Sequence, residues 1–259
     1  MPNYPTGCES VATVMALQYA GVNISVDTFI DQYLPIEPLN PLLPVRFDPY
    51  ITFGGNPRTM DGYGCYAPVI KTALDEIFAN TYYTAENVTG LSLQELCSKY
   101  IDNNIPVIVW ATMEMRTPWI SKTWTAWTGK KIQWVAPEHC LLLVGYDDYF
   151  YYFNDPRDSK ARTYYRKEAV DRAYKAQGSQ AVVIQADART ACEWKVRQVL
   201  SAFEMVKDKL PSGSIAFDET IHLLHSDSGD EIIDVHLLVS ESLNLMPTDT
   251  KVIYNVSKG

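Results

Sequence analysis

The sequence predicts an α+β fold: helices first, an antiparallel sheet built mostly from later strands, and a small α+β appendage at the C-terminal end. Three observations lead there. Helical periodicity dominates early, over 8–19, 26–34, 67–79 and 92–101. From 105 to 185 the apolar runs are short, β-branched or aromatic, and divided by turn residues. Near 186–190 the pattern starts again with a second series of helix then strands, which sets the expected domains at 1–187 and 188–259.

The first stretch, 3–21, reads NYPTGCESVATVMALQYAG. A Pro-Thr-Gly turn enters Cys8, and Val11, Ala12, Val14, Met15 and Tyr19 recur at the spacing of a buried helical face. Thr6 or Gly7 is placed to cap this helix, and Glu9 lies in its first turn, where the helix dipole favours an acid. A second short helix is expected over 26–34. The segment PIEPLNPLLPVRFDP holds five prolines at 35–49 and is expected to be a long ordered loop leading into YITFGGNPRTMDGYGCY. A functional loop and a plain surface excursion are both open readings of it.

APVIKTALDEIFA at 67–79 has helical period with Pro68 in the first turn. At 92–101 Ser92 is placed as the cap, Glu95 as its reciprocal partner, and Leu96 and Tyr100 as inward residues. IPVIVWATM at 105–113 is the continuous run of a strand buried on both faces. Trp119, Trp124, Trp127 and Trp134 come next, either covering the sheet or bordering a site. His139 then opens the strand HCLLLVGY, a turn at Asp147 and Asp148 leads into YFYYF, and that strand ends at Asn154, Asp155 and Pro156. A helix at about 166–176 and a strand at 181–185 close the first domain. In the second, 192–210 reads as an amphipathic helix, and SIAFDETIHLLH, DEIIDVHLLVSESL and TKVIYNV as strands, with a turn at 227–230 between the first two.

Chemistry concentrates at two places. Cys8 stands at a helix start, where unpaired N–H groups favour a thiolate and can bind an oxyanion. His139 and Asp155 stand at matched ends of one hairpin, which makes them neighbours at the same rim of the sheet. A nucleophilic Cys, a His base and an orienting acid form a triad. The bland alternatives are a small buried Cys, a structural His and an Asp that only shapes the turn before Pro156. The other cysteines, Cys65, Cys97, Cys140 and Cys192, lack any CxxC spacing and read as small buried residues rather than a disulfide framework or a zinc site. His222 and His225 are separated by an odd number on one strand and so face opposite sides, and His236 lies on the next, so no metal is expected there.

The PTGCES start, the FGGNP and GYGCYAPVI segments, EHCLLLVGYDD and the NDP turn together resemble the bacteriocin-processing type of cysteine peptidase. They are most similar to the stand-alone peptidase family thirty-nine-like proteins of Gram-positive bacteria. The resemblance covers roughly 2–185. It implies a papain-like fold and a cysteine peptidase of peptide bonds with no cofactor, with Cys8 as nucleophile, His139 as base and Asp155 as orienting acid. The family's oxyanion Gln, upstream of the PTGC turn, would fall at or before Met1 and is absent. Either the chain begins late, or Asn3 takes that role beside the Cys8 backbone N–H, or activity is reduced. Amidase or acyl-transfer activity on cell-wall peptide and an inactive peptide-binding module are the rival expectations.

Composition narrows the partners. With 47% hydrophobic and 20% charged residues the chain has the balance of a globular protein with ample core material. A formal charge of −9 leaves no basic stripe for phosphates, so nucleic acid is not an expected partner. Seventeen Tyr and six Trp suit a groove for an extended polymer as well as a core. No apolar run approaches the ~18 residues that span a bilayer. Met1 leads directly into the Cys8 turn, which predicts an extracellular or cell-surface protein whose leader lies outside this chain, or a cytoplasmic one if Met1 is its natural start.

Overall fold

A computed structural model describes residues 3–40, 42–158, 163–186, 217–225, 231–239 and 250–256. The chain divides into two units, Met1–Gln185 and Ala186–Gly259. The helices of the first unit are α1 (Cys8–Tyr19), α2 (Val26–Gln32), α3 (Ala67–Phe78), α4 (Leu93–Lys99) and α5 (Lys167–Ala176). Their starts are set by local chemistry. Ser25 Oγ accepts the Thr28 amide at α2, and Ser92 and Glu95 close a reciprocal capping box at α4. At α3, Pro68 occupies the first turn, and the Ala67 N–H donates to Gln180 Oε1 at 2.9 Å.

In α1 the cap is one of the two expected, and the buried face departs from the expected pattern. Gly7 is the N-cap without any side-chain bond, while the Thr6 hydroxyl reaches the carbonyls of Asn56 and Thr59. Tyr19, expected on the buried face, is 61% exposed, whereas Ala12, Thr13, Val14, Ala16 and Leu17 are all buried. A helix enclosed on most sides has no narrow apolar stripe from which to read its orientation.

The proline-rich segment is not loop throughout. β1 (Ile36–Glu37) and β2 (Phe53–Gly54) pair in parallel across it, two residues each. The main sheet uses β3 (Tyr83–Asn87), β4 (Val107–Thr112), β7 (Glu138–Tyr146), β8 (Phe150–Asn154), β9 (Thr163–Arg166) and β10 (Ala181–Ala186), in the spatial order β3-β10-β4-β7-β8-β9. The pairings from β10 through β9 are antiparallel. Between β4 and β7, the tryptophan-rich segment forms a separate antiparallel hairpin, β5 (Trp119–Thr125) and β6 (Lys131–Ala136). Trp124 and Trp134 are buried from it, in an aromatic cluster with Phe47 and Tyr63, and Trp134 also packs on Tyr66; Trp119 and Trp127 are exposed.

All six residues of β4 are buried because the sheet is covered on both faces. Ile108, Trp110, Cys140 and Leu142 join one cluster with α1 and α3, which supply Cys8, Ala12, Leu17, Ile70 and Leu74. Val109, Ala111, Leu141 and Leu143 join the other, with Leu96 of α4 and Val170 and Tyr174 of α5. Alternation along β7 thereby decides which of its residues meet α1.

In the second unit, β11 (Phe217–His225), β12 (Glu231–Val239) and β13 (Thr250–Val256) form an antiparallel sheet in that order. β11 and β12 pair from Phe217 opposite Val239 to His225 opposite Glu231, with His222 opposite Asp234. The expected helix over 192–210, the boundary at 187–190, Cys192 and the turn at 227–230 lie outside the described residues.

Candidate active site

Cys8 is the first residue of α1, delivered by a tight turn in which the Gly7 amide donates to the Tyr4 carbonyl at 3.0 Å. Its thiol is 4% exposed and donates to Glu9 Oε2 at 3.3 Å. Glu9 is fully buried, and its other oxygen accepts the Cys65 amide at 2.7 Å. From β7, Glu138 reaches the same point. The thiol sulfur and one oxygen of each carboxylate lie within 4.8 Å of one another. Gly64, at φ +133°, makes room for them, since a Cβ there would stand 2.5 Å from Glu9 Oε1.

This environment reverses the expected electrostatics of the thiol. Burial pushes the Cys8 thiol well above its ordinary range, the Glu9 and Glu138 charges add to the rise, and a bond from the Cys140 backbone only partly opposes it. A helix N-terminus contributes roughly 0.3–1 kcal/mol toward the anion, which does not match burial beside two carboxylates. Glu9 itself is pushed up to about 7 by burial, against its bonds from the Cys65 backbone and Cys8. Burial, then the Glu9 charge, raises Glu138 well above the carboxylate range. Glu9 stands in the first turn of α1 as expected, but it is fully buried.

One residue along β7, His139 is 1% exposed, and its Nε2 lies 2.7 Å from Asp155 Oδ1. Asp155 Oδ1 also accepts the Arg157 amide at 2.8 Å. Burial would raise Asp155, but the His139 bond and charge and the Arg157 amide outweigh it and hold the carboxyl below its usual range. His139 Nδ1 is buried without a hydrogen-bond partner.

The structure thus joins His139 to Asp155, and joins the Cys8 thiol to Glu9. It does not hydrogen-bond Nδ1 to the thiol. Alternation accounts for the division: Glu138 and Cys140 face the α1 side, and His139 shares the side of Leu141. Asn3 is exposed. The segment before α3 packs on the Cys8 turn through Thr6 and supplies the Cys65 amide, so it belongs to the site's wall. Cys8, Cys65, Cys97 and Cys140 are free and buried. A cavity of about 560 Å³ lined by Cys97, Tyr146, Tyr151, Lys167 and Asp171 includes none of Cys8, His139 and Asp155 in its lining.

Sequence reasoning missed Glu9 and Glu138 as parts of the site. The signal was available for Glu138, which shares the strand face of Cys140 and Leu142 in an otherwise apolar run. Cys8, Glu9 and Glu138 are also of metal-ligand type and spacing. Both Glu9 oxygens already accept hydrogen bonds, from the Cys8 thiol and the Cys65 amide.

Residues 1–182 match the Peptidase_C39 like family. The chain is 30% identical over 187 residues to the uncharacterised protein YvpB of Bacillus subtilis (strain 168), across 71% of each sequence. A crystal structure of a candidate C39-like peptidase from Bacillus anthracis is similar with a TM-score of 0.62 and 26% identity, covering 72% of this chain and 92% of that one.

Proposed function

We propose, since the chain belongs to the Peptidase_C39 like family, that it is a cysteine peptidase using Cys8 as nucleophile, His139 as base and Asp155 as the acid that orients the imidazole. The observation that carries this reading is the buried His139–Asp155 pair, whose Nε2 is fixed at 2.7 Å while Nδ1 is left without a partner. An imidazole held at one nitrogen and open at the other is prepared to accept a proton. At rest the thiol is held by Glu9, so the first step exchanges its S–H···O bond for S–H···Nδ1. The sulfur then attacks the substrate carbonyl. Backbone N–H groups at the start of α1 receive the oxyanion, Cys8's own among them, and the Asn3 amide is the second candidate donor. The imidazolium protonates the leaving amine as the C–N bond breaks, and water, deprotonated by the same imidazole, releases the acyl group from sulfur.

The test is cleavage of an unbiased peptide library by the full chain. Cys8→Ala and His139→Ala are each expected to lower kcat/KM by roughly 10³-fold or more. Cleavage undiminished in Cys8→Ala would overturn the reading. One observation favours a second reading, an inactive peptide-binding module: the thiol is buried on Glu9 instead of on the imidazole. That module would bind library peptides in a calorimeter, yet show no turnover and no adduct between Cys8 and an acylating electrophile.

A further inference from the structure

Glu9 and Glu138 have no part in the peptide cleavage proposed above, yet they are the buried groups closest to its nucleophile. We propose that Glu9 and Glu138 share one proton at neutral pH, and that the charge left on the pair keeps the Cys8 thiol protonated at rest. The consequence for catalysis rests on the reading of Cys8 as nucleophile.

Geometry carries the inference. The thiol already donates to Glu9 Oε2, and the Cys65 amide fixes Oε1, so Glu9 is locked against the sulfur. Glu138 is 7% exposed, and its Oε1 is buried with no hydrogen-bond partner. An ionised carboxylate with an unsatisfied oxygen in such a place is costly, and a protonated one much less so. Two carboxylates packed this closely in a dry interior cannot both ionise readily.

The titratable groups that face the pair are Cys8 from α1, Cys65 and Tyr66 just before and at the cap of α3, and Cys140 from β7. His139 is engaged with Asp155. Among the described residues neither glutamate has an ion pair with Lys or Arg. The pair therefore raises the thiol with no cation to offset it. Both act through Cys8 as positioning residues.

The experiment tracks the rate of Cys8 alkylation by iodoacetamide from about pH 6 upward until the rate levels off. It uses the full chain, with modification read at the Cys8 peptide by mass spectrometry. Glu9→Gln keeps an oxygen for the Cys65 amide while removing the charge, and Glu138→Gln removes the charge from the other side of the pair. Each is expected to move the midpoint of the rate profile down by about one unit, roughly a tenfold gain in rate below the midpoint. A midpoint that stays in place or rises in both variants overturns the proposal. A second measurement needs no variant: the infrared spectrum of the wild type at neutral pH is expected to show the C=O stretch of a buried protonated carboxyl. Its absence overturns the proposal even if the variants fail to fold. Neither readout depends on turnover, so a chain that proves not to be a peptidase can still pass both, and an active one can still fail them.

Discussion

Asp155 Oδ1 serves two donors at once, His139 Nε2 and the Arg157 amide, so it is both a partner for the imidazole and a turn residue. Asp155→Asn retains an oxygen for both and removes only the charge that stabilises an imidazolium. Turnover is expected to fall by roughly hundredfold or more. Asn154→Ala, assayed beside it, is expected to lose less, and a larger loss at Asn154 would move the orienting role by one residue. Glu9 makes a different prediction. Its carboxyl binds a proton up to about 7 in the folded chain, against an ordinary 4.5. Between those values Glu9 holds more protons in the folded state than in the unfolded state, so its contribution to stability falls as pH rises through the window and levels off above it. The expected loss is about 3 kcal/mol. Asp155 has the opposite sign: its contribution is present above the unfolded carboxylate range and is lost as pH falls below it. Urea unfolding at about pH 5 and pH 8 checks the Glu9 effect, which Glu9→Gln should remove. An unchanged slope in that variant would assign the pH dependence to other groups. His139 and Asp155 were legible as a pair because a hairpin places its two ends together. The burial of Glu9 was not, because a carboxylate's burial on a helix is decided by distant parts of the chain that pack over it.

Elements with end signals were the readable ones. α4 begins where Ser92 and Glu95 said it would, and Ser92→Ala, which removes the hydroxyl that accepts the Glu95 amide and leaves the residue 92 amide donating to Glu95 Oε2, is expected to cost about 1 kcal/mol in denaturant unfolding. β7 and β8 were readable because apolar runs flank a turn. β3 was not: its sequence YTAEN carries no apolar run and its residues alternate between half-buried and exposed. β5 and β6 were hidden because most of β5 is exposed and its tryptophans masked the period. The proline-rich segment is anchored through Phe47, which is fully buried and packs against Tyr63, Trp124 and Trp134. Phe47 also lies under Gly54, where any Cβ would stand 2.5 Å from the ring. Phe47→Ala should therefore destabilise the first unit by about 3–5 kcal/mol, read as a lower urea midpoint. A shift under about 1 kcal/mol would show that the segment is held by other contacts.

At the scale of the whole chain, the first unit ends at Gln185 and the family match at residue 182, so both stop within β10 or at its close. A fragment of residues 1–185 is expected to unfold cooperatively in circular dichroism and to retain whatever peptidase activity the full chain has. Loss of a cooperative transition would make the remainder necessary to the fold. The position of β10 carries a further consequence, for synthesis on the ribosome. The last strand of the unit to be made is inserted between two of the earliest, β3 and β4. Until it emerges, the apolar strand β4 has an open edge, and the start of α3 lacks the Gln180 oxygen that receives its first amide. A nascent chain stopped at residue 179 thus contains Cys8, His139 and Asp155 and still lacks both Gln180 and the strand that joins β3 to β4. The protein completes its proposed catalytic residues before it can complete the fold of its first unit, which confines any proteolysis to chains in which that unit is whole.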